Sequence, residues 1–246
     1  FDDDGQVYFV GTHFADKYKT YLYRMTPDGK NLIEDSKILI NEGHGREASK
    51  LFKINGIYYH FFSEVKNGGR YIMMQRASTI TGPYLERKQL SHVQREYNEP
   101  NQGGLVEGPD GKWYFLTHHG TGDWAGRIAS LLPVHWRDDW PIIGRVGQDG
   151  IGTMVWQTAK PSNQYPVQTP QSSDDFDKTV LSPQWEWNYQ PWDEMWSLTE
   201  KPGCLRLKAF RPLMTDNLLK AGNTLTQRCF RTSKNEVVVK INIKNM

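Results

Sequence analysis

The sequence predicts an all-β fold, with part of a β-propeller followed by part of a β-sandwich. A phrase made of a turn and a strand recurs three times, and aromatic residues form 13% of the chain. Strands favour aromatic side chains. No amphipathic helix of about twelve residues or more separates the three copies, which argues against alternating strands and helices.

The recurring phrase is an Asp-Gly or Asn-Gly turn that leads into an aromatic strand. Its copies lie at 2–10, 53–61 and 108–116, with glycines at Gly5, Gly56 and Gly111. Such a pair before a strand-like run is a strong hairpin signal. A period of roughly fifty residues marks a repeated supersecondary unit.

A second strand is predicted after each copy, over 20–25, 71–76 and 128–134. Turn residues follow each of these strands, so the pattern is an antiparallel meander. Small sheets repeated along a chain are typical of a β-propeller, which packs them around a central axis. Residues 1–157 are therefore predicted to form about three blades.

The composition changes after the third copy. Residues 158–173 are rich in Pro, Gln and Ser and lack periodicity, so they are predicted to form a linker. Residues 174–246 carry strand-like runs at 185–188, 204–208 and 237–243, which predict part of a β-sandwich. Because the last run stands at the end of the chain, we expect an incomplete sandwich.

Charge and hydropathy exclude several classes of partner. The 30 basic and 28 acidic residues give a net charge of +2, and the mean hydropathy is −0.68. Neither a nucleic acid nor a membrane is indicated as a partner. Cys204 and Cys229 lack metal-ligand spacing, so buried thiols are expected and a disulfide stays open. The sequence indicates neither oligomeric state nor compartment.

Glu47 is the first candidate for chemistry, because it precedes the second copy on a segment that would run along the propeller axis. A carboxyl group beside an apolar wall has a raised pKa, as a general acid requires. The alternative is a Glu paired with Arg46 or Lys50 on a solvated strand. Aligning the copies places Glu47 opposite Asn101.

Two polar segments of the third copy are further candidates. Asn101 and Gln102 offer donors and acceptors for sugar hydroxyls, or else begin a tight bend with the two following glycines. In the segment 117–127, Arg127 is either a forked donor to hydroxyls or part of a hairpin ion pair. His118 and His119 suggest a metal site only weakly, since neighbours on a strand face opposite sides.

The chain resembles glycoside hydrolase family 43, and especially its bacterial members that act on xylan and arabinoxylan. The similar strings are EASKLFKINGIYYHFFSEV from Glu47, ITGPY from Ile80, NQGGLV from Asn101, WYFLTHHGTGDWAGR from Trp113 and LLPVHWRDDWPIIG from Leu131. The segment 175–208 resembles the start of the β-sandwich that follows the propeller in many members.

The resemblance implies a five-bladed propeller and an inverting glycosidase with three acidic residues on the axis. It implies that Glu47 is the general acid, and that Arg127, Asn101, Gln102 and His118 belong to the sugar site. The implied activity is hydrolysis of terminal or side-chain pentoses of plant cell-wall polysaccharide, as an α-L-arabinofuranosidase, a β-xylosidase or both. A non-catalytic carbohydrate-binding propeller is the alternative.

The resemblance also implies that two acidic residues of the family's active site are missing from this stretch. The family's general base lies on the first blade, and its tuning Asp aligns five residues before Phe1, so we expect the chain alone to be catalytically silent. No cofactor is implied for the chemistry. Many members hold a structural calcium ion through a His, but Asn101 stands at the candidate place here, so calcium stays open without an assigned ligand.

Overall fold

The computed structural model describes residues 1–93, 100, 102–120, 126–162, 164–166, 168–189, 191–209, 214, 216–217, 220–228 and 234–243. The chain divides into two compact units, Phe1–Gln164 and Tyr165–Met246. The division falls inside the predicted linker. Among the described residues, none of the helical segments has the length and apolar character needed to cross a membrane.

The first unit consists of antiparallel sheets that follow one another along the chain, as the repeated phrase predicts. The first sheet has the order β1 (Tyr8–His13), β2 (Lys19–Arg24) and β3 (Ile38–Asn41). The second contains β4 (Glu47–Ile54), β5 (Ile57–Lys66), β6 (Gly69–Ala77) and β7 (Glu86–His92). The third contains β8 (Gly103–Glu107), β9 (Trp113–Gly120), β10 (Arg127–Arg137) and β11 (Trp140–Ile143).

Two further short strands belong to the second sheet. These are β12 (Arg145–Val146) and β13 (Gly152–Thr153), and β13 pairs in parallel with β7. Two 3₁₀ turns, Phe14–Asp16 and Glu34–Ser36, connect the strands of the first sheet. The predicted meander is confirmed, because each predicted second strand is β2, β6 or β10 and pairs with the strand after the repeated turn.

The repeated turn has the same backbone geometry in all three copies. Gly5, Gly56 and Gly111 have φ angles of 78°, 78° and 71°. Residues with a side chain rarely adopt this left-handed backbone conformation, which is why each copy carries Gly at that place. The first two copies are also joined directly, since the Asp2 carboxylate accepts hydrogen bonds from the Tyr58 hydroxyl at 2.7 Å and from Lys53 Nζ at 2.9 Å.

The hydrophobic core lies between the second and third sheets. Phe61 and Phe115 are fully buried, and their ring centroids are 5.4 Å apart. The surrounding core side chains come from both sheets and include Tyr59, Ile72, Met74, Leu90, Leu132 and Ile142. Because odd-numbered residues of β5 and β9 face this core, the alternation of a strand places even-numbered residues on the other faces.

The even-numbered residues of β5 face away from this core and include a buried histidine. His60 is fully buried and stacks on Phe62 with ring centroids 5.3 Å apart. Gln75 Nε2 lies 3.1 Å from His60 Nδ1 and donates to the Ile40 carbonyl at 2.8 Å. A hydrogen bond donated by the Gln75 amide requires a neutral His60 ring with an unprotonated Nδ1.

The second unit contains two short strand pairs. β14 (Glu186–Trp187) pairs with β17 (Leu225–Thr226), and β15 (Trp196–Ser197) pairs with β16 (Arg206–Leu207). A 3₁₀ turn, Asp193–Met195, precedes β15. The predicted strands at 185–188 and 204–208 correspond to β14 and β16.

The prediction of a strand at 237–243 is wrong. These residues form no strand, although they are described, and Val237, Val238 and Ile241 are exposed. β-Branched residues favour a strand only where a partner supplies hydrogen bonds and packing. Cys204 is a free, half-buried thiol, whereas Cys229 lies outside the described residues.

Replacing His60 by Gln should make the free energy of unfolding less dependent on pH. Burial, and then the charges of Arg46 and Arg87, lower the pKa of His60 from 6.5 to about 3. Between these values the unfolded chain binds a proton that the folded chain does not, so the wild type loses stability as the pH falls through this range. Between pH 7 and pH 4, urea denaturation should show that His60→Gln loses less stability than the wild type, by on the order of 3 kcal/mol.

The control for this substitution is His13→Gln, because His13 is exposed on β1. This variant should keep the pH dependence of the wild type. Identical pH profiles for His60→Gln and the wild type would contradict the assignment of a buried, neutral His60.

Candidate active site

Glu47 begins β4, at the end of the second sheet where β5 and β6 meet in the 66–69 hairpin. Its side chain is 17% exposed. Glu47 lies directly opposite Ser63 of β5, so the two side chains share the face that also carries Phe61. The carboxyl group therefore points to the side of the sheet on which the third sheet packs.

A β-bulge follows Glu47 and separates it from the regular part of β4. Glu47 pairs with Ser63 and Lys50 pairs with Phe61, so β4 has one residue more than β5 in this interval. Ala48 within the bulge has a φ of +61°, which is uncommon for a residue with a side chain. Bulges of this kind re-aim side chains and are frequent next to active sites.

The loop before β4 lies so close to β5 that only glycine fits at one position. Gly45 has a φ of +65°, and a Cβ there would lie 2.5 Å from Cγ2 of Val65. The loop is also bonded to the strand, because the Val65 N–H donates to the His44 carbonyl at 3.3 Å. This close approach positions Glu47 at the start of its strand.

Arg70 of β6 forms an ion pair with Glu47 through Nη1 and Oε1. The sequence-based alternative, a pair with Arg46 or Lys50, is wrong. Arg46 Nε instead donates to Glu64 at 2.9 Å, and Lys50 Nζ donates to the Ala48 carbonyl at 3.2 Å. Glu47 is thus paired, but by a residue two strands away.

Gln102 joins the third sheet to Glu47. Its Nε2 lies 3.3 Å from Glu47 Oε1, and its backbone carbonyl accepts from Thr117 Oγ1 at 2.5 Å. Gly103 follows it, and a Cβ there would lie 2.3 Å from the Leu116 carbonyl oxygen. The absence of a side chain at Gly103 therefore allows the close pairing of β8 with β9. Asn101 lies outside the described residues.

His118 and Arg127 occupy the other face of the third sheet. β9 and β10 run in continuous register, with Thr117 opposite Ser130 and His118 opposite Ala129. His118 and Arg127 therefore lie opposite to the face of Phe115. Burial, and then the charges of Arg127 and His119, lower the pKa of His118. Within the part of the chain that the structure describes, the side-chain contacts of Glu47 are with Arg70 and Gln102.

Sequence reasoning missed two residues of this site, Arg70 and Ser63. Ser63 is fully buried on the same face as Glu47, and its hydroxyl has no hydrogen-bond partner among the described residues. The Asn67-Gly68 hairpin was the available signal. It fixes Lys66 opposite Gly69 and Arg70 opposite Val65, so the register places Arg70 near Glu47.

The site favours an ionised Glu47 in this arrangement. A guanidinium and an amide N–H both stabilise a carboxylate relative to a carboxylic acid. Lys50 is a second cation nearby on β4, and burial lowers its pKa. Lys50 also meets the third sheet, since a Cβ on Gly104 would lie 3.8 Å from its Cδ.

The described residues contain no group of three or more His, Cys, Asp or Glu side chains arranged to hold a metal ion. Asn101, the place at which a calcium ligand was considered, is outside those residues. No metal ligands are therefore assigned among the described residues.

Comparisons with known proteins agree on one family. The model for glycosyl hydrolases family 43 matches residues 1–141. The model for the beta-xylosidase C-terminal concanavalin A-like domain matches residues 173–246. The second match supports a partial β-sandwich for the unit that contains β14 to β17.

Individual relatives cover nearly the whole chain. A beta-xylosidase of Formosa agariphila is 34% identical over 92% of the chain and 44% of its own length. A non-reducing end alpha-L-arabinofuranosidase of Bacteroides ovatus is 29% identical over 87% of the chain and 42% of its own length. The chain thus spans less than half the length of these curated relatives.

A solved structure of a bifunctional GH43-CE protein from Bacteroides eggerthii superposes on the chain with a TM-score of 0.74. The two are 32% identical, and the match covers 93% of this chain and 29% of the other. This similarity supports the propeller and sandwich architecture.

Replacing Arg70 by Met should raise the pKa of the Glu47 carboxyl group, because the neighbouring guanidinium stabilises the carboxylate relative to the acid. Carboxyl ¹³C NMR of the Glu side chains, recorded as a function of pH, would measure the change. Arg76→Met is the matched control, because Arg76 lies on the same strand but pairs with Glu86. An unchanged Glu47 titration in Arg70→Met would contradict the ion pair.

Proposed function

The chain belongs to glycosyl hydrolase family 43, and we propose on this basis that the full-length protein hydrolyses pentose residues of xylan or arabinoxylan. The substrates would be terminal or side-chain sugars, with α-L-arabinofuranosidase activity, β-xylosidase activity or both. The names of the relatives from Formosa agariphila and Bacteroides ovatus support this range of activities. Plant cell-wall polysaccharide or its oligosaccharides would be the partner.

The position of Glu47 is the observation that carries this proposal. The carboxyl group stands at the end of an inner strand, beside a β-bulge, facing the neighbouring sheet and within reach of Gln102. A carboxyl group delivered by rigid strands can be held at a fixed distance from a glycosidic oxygen. Because the chain belongs to family 43, we assign this carboxyl group a role in glycoside hydrolysis.

In the proposed reaction Glu47 is the general acid. Its proton passes to the glycosidic oxygen as the bond from that oxygen to C1 breaks. A water molecule attacks C1 from the opposite face and gives a proton to a second carboxylate, so the anomeric configuration inverts. The two carboxyl groups of such enzymes stand about 6.5 to 9.5 Å apart. The proposal assigns the acid step to Glu47 and leaves the base outside the described residues.

The neighbours of Glu47 have distinct proposed roles. Gln102 would orient the carboxyl group and bind a sugar hydroxyl, because an amide offers both donors and acceptors. The buried Ser63 hydroxyl would hydrogen-bond the carboxyl group from the same face. His118 and Arg127, on the other face of the third sheet, and Asn101 remain proposed sugar ligands.

The ion pair with Arg70 must weaken before Glu47 can act as an acid. A sugar that covers the site removes water from the carboxyl group, and desolvation raises its pKa. The proposed chemistry uses carboxyl groups and water, so it needs no cofactor. A calcium ion would have a structural role only.

The alternative is a carbohydrate-binding propeller without turnover. The same ion pair favours this second candidate, because it holds Glu47 as a carboxylate in the arrangement described here. A carboxylate can accept hydrogen bonds from sugar hydroxyls without transferring a proton. The two candidates differ in whether the leaving-group oxygen needs Glu47.

Replacing Glu47 by Gln in the full-length protein should slow hydrolysis most for substrates whose leaving group must be protonated. With alkyl or sugar leaving groups, kcat/KM should fall by about 10²- to 10⁴-fold, the usual contribution of general acid catalysis. With dinitrophenyl glycosides, which leave without protonation, the rate should change little. Release of sugar and of dinitrophenol would be followed in parallel.

The matched control is Glu107→Gln, because Glu107 ends β8 and is exposed. This variant should behave as the wild type with both substrates. Equal losses on both substrate types in Glu47→Gln would rule out the acid role. Sugar binding by a wild type without turnover would establish the binding module instead.

A further inference from the structure

Three hydroxyl groups form a hydrogen-bonded chain between the first sheet and the start of β4. Thr12 Oγ1 lies 2.9 Å from Thr20 Oγ1 and 3.0 Å from Ser49 Oγ. Thr12 and Thr20 lie directly opposite each other on β1 and β2, and Thr20 is fully buried. One hydroxyl can serve two partners, because it has a donor and two acceptor positions. Thr12 thus ties Ser49 of β4 to the interior of the first sheet.

Ser49 belongs to the bulge that follows Glu47. In this interval β4 has two residues, Ala48 and Ser49, where β5 has one. Ala48 has a φ of +61°, and a residue with a side chain keeps this conformation only where its surroundings hold it. The contacts of the bulge therefore decide whether it persists.

The bulge is held from two sides. Ser49 is bonded to Thr12 of the first sheet. The next residue, Lys50, extends towards the third sheet, where a Cβ on Gly104 would lie 3.8 Å from its Cδ. Lys50 Nζ also donates to the Ala48 carbonyl at 3.2 Å. The directions of residues 49 and 50 are thus fixed, and they are opposite, as in a regular strand.

The direction of Ser49 bears on the direction of Glu47. In a regular strand residues 47 and 49 would share one face. Here Glu47 lies on the face of Ser63, whereas Ser49 is directed to the first sheet. The reversal takes place at Ala48. A strand that lost this bulge would turn Glu47 towards the first sheet and away from Arg70.

We propose that Thr12 is a positioning residue for Glu47. Its hydroxyl group holds Ser49 on the side of the first sheet, and this contact maintains the bulge that directs Glu47 to Arg70 and Gln102. The inference rests on the proposed function for the role of Glu47 as the general acid. The direction of the carboxyl group does not depend on that role.

Replacing Ser49 by Ala removes the hydrogen bond to the bulge and leaves Thr12 paired with Thr20. In the full-length protein, kcat/KM should fall about two- to tenfold with alkyl or sugar leaving groups, the effect of one hydrogen bond. With dinitrophenyl glycosides the rate should change little, because these leave without protonation. The matched control is Ser36→Ala, since the Ser36 hydroxyl accepts from the Arg24 N–H at 2.8 Å and lies outside the hydroxyl chain. This control should leave both rates unchanged.

Thr12→Val removes the same hydrogen bond from its other end with little change of shape. It should show the same selectivity for leaving groups, and Thr12→Ser, which keeps the hydroxyl, should restore the rates of the wild type. Adding Ser49→Ala to Thr12→Val should cause no further loss, because the two residues share one contact. Equal losses with both types of leaving group in Ser49→Ala and Thr12→Val would overturn the inference, since a general loss of structure does not distinguish leaving groups.

The titration of Glu47 gives a readout that needs no turnover. In Ser49→Ala the carboxyl group is no longer held against the guanidinium of Arg70, so its pKa should be higher than in the wild type. Carboxyl ¹³C NMR of the full-length protein as a function of pH measures this change, and Ser36→Ala should titrate as the wild type does. A Glu47 titration that neither Ser49→Ala nor Thr12→Val alters would overturn the positioning role.

Failure of the positioning role and failure of the proposed function give different results. A wild type that hydrolyses xylosides, with rates and a Glu47 titration insensitive to Ser49→Ala and Thr12→Val, would overturn the positioning role alone. A wild type without turnover, whose Glu47 titration responds to both substitutions, would overturn the catalytic proposal and support the contact from Thr12 as the one that directs the carboxyl group.

Discussion

The packing of Phe61 against Phe115 is the interaction on which the candidate site depends. These two buried rings fix the second sheet against the third, with β4 and β8 as neighbouring inner strands. Glu47 and Gln102 stand at the same end of those strands and come into contact only because the sheets hold this distance. A core contact thus determines whether Glu47 and Gln102 can meet.

The repeated phrase predicted the sheets because its signal is local. A glycine with positive φ and an aromatic strand lie within nine residues of each other, and β1, β5 and β9 begin where the phrase predicts. The outer strands β3, β7 and β11 were not predicted. They lack the repeated turn, and their apolar runs are short, so pairing with neighbouring strands, and not a local signal, defines them as strands.

The candidate site was only partly predictable, for a related reason. Glu47 and Gln102 were found because the repeats can be aligned with each other. Arg70 was not found, since its contact with Glu47 depends on the register of two strand pairs and on the bulge at Ala48. A bulge shifts side chains by one residue, and its place cannot be deduced from residue types alone. Residue spacing within β4 suggested the wrong partners, Arg46 and Lys50.

The arrangement of charges around Glu47 follows from the same bulge. Without the extra residue, Glu47 would lie on the face of His60 and Glu64, where Arg46 and Arg87 are the cations. With it, Glu47 lies on the face of Ser63, and Arg70 is its partner. On this face Gln102 of the neighbouring sheet is within hydrogen-bond distance of the Glu47 carboxyl group. The bulge therefore decides which cation pairs with Glu47.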